Sequence, residues 1–359
     1  MEPLKEMFNK KFYQQLAASI GSACKDFDEK NFVKDVTHDM EDLSLNQRMR
    51  NTSVVMQKHL PNDYKKSVNI MKKAVTKIPR GYVTLIFPDF IGLYGHDDKE
   101  FSLEALSYFT SFGSSEFAIR EFLKRDPLGT LKVMETWAED KSEHIRCLAS
   151  EGSRPRLPWS FKLDAILKEP KLTRNILEKL KMDDSAYVKK SVANHLNDFS
   201  KDHTGYMLDI VSSWNKKDPN TAWIIKHACR TLIKKGNERA LHLFDFKTKV
   251  DVDLSNFKIS SDKISLGESL QFDFKLTSTG KKPQLLAVDY CIHYYKKTGP
   301  SPKVFKLKEV ELKPGEAIHV IKKQLFQDLT TRKHYSGKHV LEIIVNGNIL
   351  GKKEFMLEA

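Results

Sequence analysis

The 359-residue sequence has only four cysteines, Cys24, Cys147, Cys229 and Cys291, and no two of them form a Cys-x-x-Cys pair. Neither a zinc site nor a disulfide framework is expected from that spacing, and free buried thiols are the expected state. No apolar run approaches the ~18–20 residues of a membrane helix. The opening Met1-Glu2-Pro3-Leu4-Lys5 lacks the charged-then-apolar layout of a secretory signal, so a cytoplasmic location is expected. There is no glycine-rich phosphate loop and no Ser-His-Asp constellation. The histidines are scattered, and His38, His144, His195 and His203 share no ligand spacing. No metal, nucleotide or other cofactor is expected.

What is present is positive charge, +13 net with a pI near 9.3. The excess is +8 before residue 251 and +5 from there on, so both parts are basic. A partner running along the whole molecule, such as a nucleic-acid backbone, suits that distribution better than a local patch does.

Patterning changes near residue 250. Before it, apolar residues recur every three or four positions, as in Leu4, Met7, Phe8, Phe12, Leu16 and Ile20, or Phe32, Val36, Met40 and Leu43. That is the period of amphipathic helices. After it the period drops to two, in Leu270 to Leu276 and Val304 to Lys308, and Ile343-Ile344-Val345 precedes the turn signal Asn346-Gly347-Asn348. About seven such strands separated by Gly/Pro turns suit a small sandwich. All four tryptophans lie in the helical part, so the antibody-type Cys-Trp-Cys core is absent. The expected organisation is two domains, an all-α helical-repeat solenoid over 1–248 and an all-β immunoglobulin-like sandwich over 255–359.

The helical part repeats loosely. Ser142-Glu143-His144-Ile145-Arg146, Ser185-Ala186-Tyr187-Val188-Lys189 and Thr221-Ala222-Trp223-Ile224-Ile225-Lys226 each read as an N-capping hydroxyl, an apolar residue three on and a cation close behind. Ser115-Glu116-Phe117-Ala118-Ile119-Arg120 resembles them. Repeats of this kind describe antiparallel helix pairs stacked in the manner of HEAT repeats. Arg120, Arg146, Lys189, Lys190, Lys226 and Arg230 would then line one groove, where helix N-termini also favour phosphate.

One inter-helix connection stands out. Ser150-Glu151-Gly152-Ser153-Arg154-Pro155-Arg156-Leu157-Pro158-Trp159 crowds a carboxylate, two guanidiniums, two prolines and a tryptophan into ten residues. It follows a helix capped at Ser142, and Gly152 sits where a left-handed C-terminal residue belongs. Glu151 therefore falls in the last turn, where the helix dipole disfavours a carboxylate by roughly 0.3–1 kcal/mol. Some other interaction must justify it. Two further acids fall in the same region: Glu116, beginning a helix after Ser115, and Asp198, at the end of the helix Ala186 to Phe199. Trp137 and Trp214 read as inter-helix packing.

The segment Ser142 to Arg146, the run Ser150 to Trp159 and the opening Pro3-Leu4-Lys5-Glu6-Met7-Phe8-Asn9 together resemble bacterial DNA glycosylases built on HEAT-like repeats, and within them the AlkC branch. The resemblance covers residues 1 to about 245, and some members of that branch carry a C-terminal immunoglobulin-like domain. It implies a monomeric enzyme acting on double-stranded DNA containing alkylated bases, with no membrane and no metal. The implied substrates are N3-methylated purines, chiefly 3-methyladenine, with 3-methylcytosine a second candidate. The lesion-site residues it implies are Glu116, Glu151, Trp159 and Asp198. Arg154 and Arg156, projecting from the same connection beside Ser153, would clamp the flanking phosphates, so that these three join the groove cations on the DNA backbone. One departure is visible: Cys147 follows Arg146 where the pattern leads one to expect a second arginine. Two other readings remain open on the residues alone, a non-catalytic binder of unusual DNA shapes and a protein-interaction scaffold.

Overall fold

In the computed structural model, residues 3–329 and 333–358 are described. Fifteen α-helices among them come first: α1 (Lys10–Gly21), α2 (Glu29–Thr37), α3 (Leu45–His59), α4 (Tyr64–Val75), α5 (Ile86–Tyr94), α6 (Lys99–Phe109), α7 (Ile119–Arg125), α8 (Pro127–Trp137), α9 (Glu143–Gly152), α10 (Asp164–Lys168), α11 (Arg174–Leu180), α12 (Ala186–Phe199), α13 (Thr204–Ser213), α14 (Pro219–Lys234) and α15 (Glu238–His242). No helix among the described residues is long and apolar enough to cross a membrane.

The chain divides into two compact units, Met1–Ala228 and Cys229–Ala359. The secondary structure itself changes where the sequence period changes, between α15 and the first strand at Val252. The end of α14 and all of α15 group with the strands because they are tied to them. Lys234 Nζ donates to the Val304 carbonyl at 3.1 Å, and Gly236 lies so close to Gly347 that a Cβ on either would meet the other's backbone.

In the first unit the helices form a two-layer stack. One layer runs through α3, α5 and α7, then α9 and α12; α4, α6, α8 and α11 make the other. The apolar stripe anticipated for α1 packs inward at Phe12, Leu16 and Ile20, but Leu4 and Met7 remain exposed, because the helix begins only at Lys10, capped by Asn9 accepting from the Phe12 N–H. Likewise α2 stops at Thr37, before Met40 and Leu43. Ser142 and Ser185 occupy the N-caps of α9 and α12. Thr221 does not cap α14. Asp218 does so three residues earlier, its Oδ1 accepting from the Thr221 N–H at 2.7 Å, since proline at 219 already starts the helix.

In the second unit eight strands among the described residues make two sheets. A three-stranded sheet runs β1 (Val252–Ile259), β3 (Ser269–Ser278), β6 (Ala317–Leu325); a five-stranded one runs β2 (Lys263–Ser265), β8 (Asn348–Glu358), β7 (Gly337–Val345), β4 (Gln284–Tyr294), β5 (Ser301–Leu312). Between the sheets lie Leu270, Phe272, Phe274 and Leu276 of β3, Tyr290 and Ile292 of β4, and Leu341 and Ile343 of β7. These are alternate positions, as a half-buried strand requires. The β7–β8 turn uses Asn346 at φ 47° and Gly347 at φ 81°, the two left-handed residues of a tight hairpin.

Candidate active site

Glu151 lies in the last turn of α9, and its neighbours account for an acid at that unfavourable end. Arg154 Nη1 donates to Glu151 Oε1 at 2.5 Å, and Ser191 Oγ of α12 donates to Oε2 at 2.6 Å. Arg154 is itself almost wholly buried, and its Nε donates to Asp198 Oδ2 at 2.9 Å. One guanidinium thus holds two carboxylates from successive inner helices, and those carboxylates raise its pKa against the opposing effect of burial.

Gly152 is helical and shows no positive φ, contrary to the expected left-handed stop. Its need for glycine is spatial: a Cβ there would stand 2.5 Å from Ile119 Cγ2 of α7. That close approach brings Glu116, in the turn before α7, to the same site. Glu116 does not begin the helix, which starts at Ile119. Burial first, and then the charge of Glu151, push its pKa up to about 7.

The connection after α9 is held from beneath. Arg120, at the start of α7 and fully buried, donates to the carbonyls of Gly152 at 3.1 Å and Arg154 at 2.6 Å and to that of Phe161. Burial, and then Arg154, lower its pKa to about 10. His195 of α12 reaches the Ser150 carbonyl at 3.1 Å through Nδ1 and Thr173 at 3.2 Å through Nε2; burial drops its pKa to about 3, so it is neutral. Held this way, the segment places Trp159 at φ 64° with 70 % of its surface exposed. A bulky residue in that region is strained, which marks a position set by something other than local preference.

Trp159 forms a ridge between two recesses. One, of about 450 Å³, is lined by Glu116, Glu151, Arg154, Trp159, Tyr82 and Phe117 among others. The other, of about 580 Å³, lies beside Phe161, Arg50, Asp89 and Glu121. Glu116, Glu151 and Trp159 therefore meet around one opening. Asp198 stands behind Arg154, 3 % exposed, with Lys201 Nζ 3.6 Å from its other oxygen.

Several expected DNA contacts are engaged elsewhere. Arg120 and Ser153 are fully buried, the latter donating to the Ala149 and Ser150 carbonyls, and Arg154 is taken up by the two carboxylates, so the side chains of all three are committed within the protein. Arg146 grips Asp183 through two bonds of 2.6 and 3.1 Å. Lys189 donates to Asn220 at 2.7 Å, and Arg156 pairs with Asp202 at 2.7 and 2.8 Å. For Arg146 and Lys189 the physical reason is that a cation near an inner helix's start meets the acidic or amide turn leading into the next, joining one repeat to its successor. Lys190 and Lys226 are exposed, while Arg230 falls in the second unit.

Tyr187 escaped the sequence reading. It is 44 % exposed, and its pKa is raised by burial of the phenol and then by Cys147, Glu116 and Glu151. Its hydroxyl pairs with the buried Cys147 thiol. The signal was the aromatic or imidazole ring two residues after the first hydroxyl residue of each repeat segment (Ser142, Ser185, Thr221), where His144, Tyr187 and Trp223 recur. Ser191, the other missed residue, carries no sequence signature.

Residues 253–359 match the family model of the C-terminal Ig-like domain of the uncharacterised protein YhaZ. YhaZ of Bacillus subtilis (strain 168) is 38 % identical over 359 residues, 99 % of this chain and 100 % of that protein. The Pseudomonas fluorescens alkylpurine DNA glycosylase AlkC, solved bound to DNA containing an abasic site analog, is 45 % identical with a TM-score of 0.96, and the match covers 100 % of both chains. The chain belongs to the AlkC family. An AlkC-type chain with an immunoglobulin-like domain is what the sequence resemblance implied, and helical repeats followed by β-sheets are the architecture found.

Proposed function

We propose that this protein is a DNA glycosylase that hydrolyses the N-glycosidic bond of alkylated purines, 3-methyladenine first among them. The observation that carries the reading is the pair of carboxylates, Glu116 and Glu151, beside an exposed, conformationally strained Trp159 in a chain 45 % identical to AlkC.

A ring nitrogen that carries an extra alkyl group makes the base cationic and weakens its bond to C1′. The base then leaves neutral, and positive charge develops on the sugar. Glu151 is oriented by Arg154 and Ser191 before any substrate arrives, so its charge stabilises that transition state without reorganisation. A water attacks C1′, the C1′–N bond breaks, and the water's proton passes to a carboxylate. Glu116, with a pKa near 7, is poised for that proton, and a cationic base beside it favours its ionised form. Counting Glu116, Glu151 and Asp198 against Arg154 and Arg120, the site is negative when Glu116 is ionised. Unmodified neutral bases gain nothing from that. Trp159 contributes a cation–π contact of ~0.5–2 kcal/mol to a methylated base or the developing sugar cation.

Asp198, behind Arg154, acts by holding that guanidinium toward Glu151. Lys190 and Lys226 supply phosphate contacts. Among the described residues no lysine lines the recess, which supports reading the reaction as hydrolysis without a covalent intermediate. Incubation with methylated duplex should release free base and leave an abasic site, with no adduct trapped by borohydride. A trapped adduct would overturn the monofunctional mechanism; no released base from folded, DNA-binding protein at any pH tested would overturn the reading.

A further inference from the structure

The absence of paired cysteines argued against a metal, yet the sheets bring together a ligand set that linear spacing conceals. Cys291 and His293 alternate along β4 with the core residues Tyr290, Ile292 and Tyr294. Both therefore project from the outer face of the five-stranded sheet. On β7, Glu342 stands between the core residues Leu341 and Ile343 and is the direct cross-strand partner of Cys291. The Cys291 Sγ, a ring nitrogen of His293 and a Glu342 carboxylate oxygen all lie within 4.8 Å of one another. His293 Nε2 is 2.8 Å from Glu342 Oε2.

We propose that Cys291, His293 and Glu342 form a binding site for one divalent transition-metal ion of the zinc class. Thiolate, imidazole and carboxylate are the donors such an ion takes, at about 2.0–2.3 Å each, which sets ligand atoms about 3.3–3.8 Å apart in a tetrahedron. Small side-chain rotations reach that spacing from the present one. Two anionic ligands and a neutral imidazole balance a 2+ charge, and calcium or magnesium would instead demand oxygen donors throughout. Three protein ligands leave the fourth position for water. The surroundings fit: Cys291 is 2 % exposed, whereas the His293 and Glu342 side chains keep 28 % and 14 %, so an ion has a way in. Lys352 is the cross-strand neighbour of Glu342 on β8 and is exposed, free to swing to solvent as the site fills. Binding releases the thiol proton and crosslinks β4 to β7, two central strands of the sheet.

The test uses the full-length protein, freed of metal by chelation and titrated with cobalt(II) as a spectroscopic probe, without DNA. One equivalent should produce a near-ultraviolet thiolate-to-cobalt band that zinc abolishes by displacement. Cys291→Ser should lose the band, and His293→Asn and Glu342→Gln should each weaken cobalt affinity at least tenfold. Should the serine variant fail to fold, the other two, at more exposed positions, decide alone. No band at saturating cobalt, a band retained in Cys291→Ser, or unchanged affinity in His293→Asn and Glu342→Gln would overturn the site. None of these readouts depends on glycosylase activity.

Discussion

Arg154 and Asp198 are joined across 44 residues of sequence by a 2.9 Å bond from Nε to Oδ2, with both side chains under 10 % exposed. The same guanidinium reaches Glu151 at 2.5 Å. Removing one member of a buried ionic set leaves its partners uncompensated, at a cost of about 3–5 kcal/mol. Arg154→Ala should therefore lower unfolding free energy by about that amount and abolish excision. Arg154→Lys, which keeps the charge but not the planar fork, should recover part of the stability and little of the activity. Denaturant unfolding and base release on the same preparations check both.

Glu116 gives a pH dependence with a defined sign. Its folded pKa, about 7, lies above the ordinary value of 4.5, so the native state holds a proton that the unfolded chain has released. Stability from this group is fully present below about 4.5 and is lost as pH rises through 7. Glu116→Gln should flatten that decline and make the protein relatively more stable at pH 8. If the ionised form is the working one, wild-type excision rises across pH 6–8 with an inflection near 7 and the Gln variant shows none.

Trp159 separates stability from function. Being 70 % exposed and at φ 64°, it contributes little packing. Trp159→Ala should leave unfolding free energy within ~0.5 kcal/mol of wild type. Loss of a cation–π contact of ~0.5–2 kcal/mol should slow excision roughly 2- to 30-fold.

The site was partly legible in sequence because it is concentrated in one run. Glu151 in a disfavoured turn and Trp159 after two prolines announce themselves locally, and the β-unit's alternation is equally local. What sequence reasoning misassigned were roles that depend on long-range burial. Arg120 reads as a surface cation of a repeat, but packing of α7 under the connection turns it into a buried donor to three carbonyls. Arg146 reads the same way, yet Asp183 of the following turn claims it. Gly152 reads as a helix stop, whereas Ile119 of α7 requires its missing Cβ. Ser191 and the Cys291–His293–Glu342 cluster depend on neighbours from other elements, so no spacing reveals them.

Those reassignments predict a contrast in salt dependence. Each phosphate-neutralising side chain lost should reduce the slope of log affinity against log salt by about 1. Lys190→Ala should do so and leave stability unchanged. Arg120→Met should leave the slope unchanged in the protein that remains folded while lowering thermal stability. Binding isotherms at several salt concentrations distinguish the two.

The most direct test of the central claim is single-turnover release of 3-methyladenine from methylated duplex DNA by the wild-type protein and by Glu151→Gln. Wild type should release the base, and the variant should lose on the order of 10²–10³-fold in rate at unchanged DNA affinity, since a preorganised charge is removed from the transition state. Equal rates from the two proteins, or no release by either, would contradict the claim.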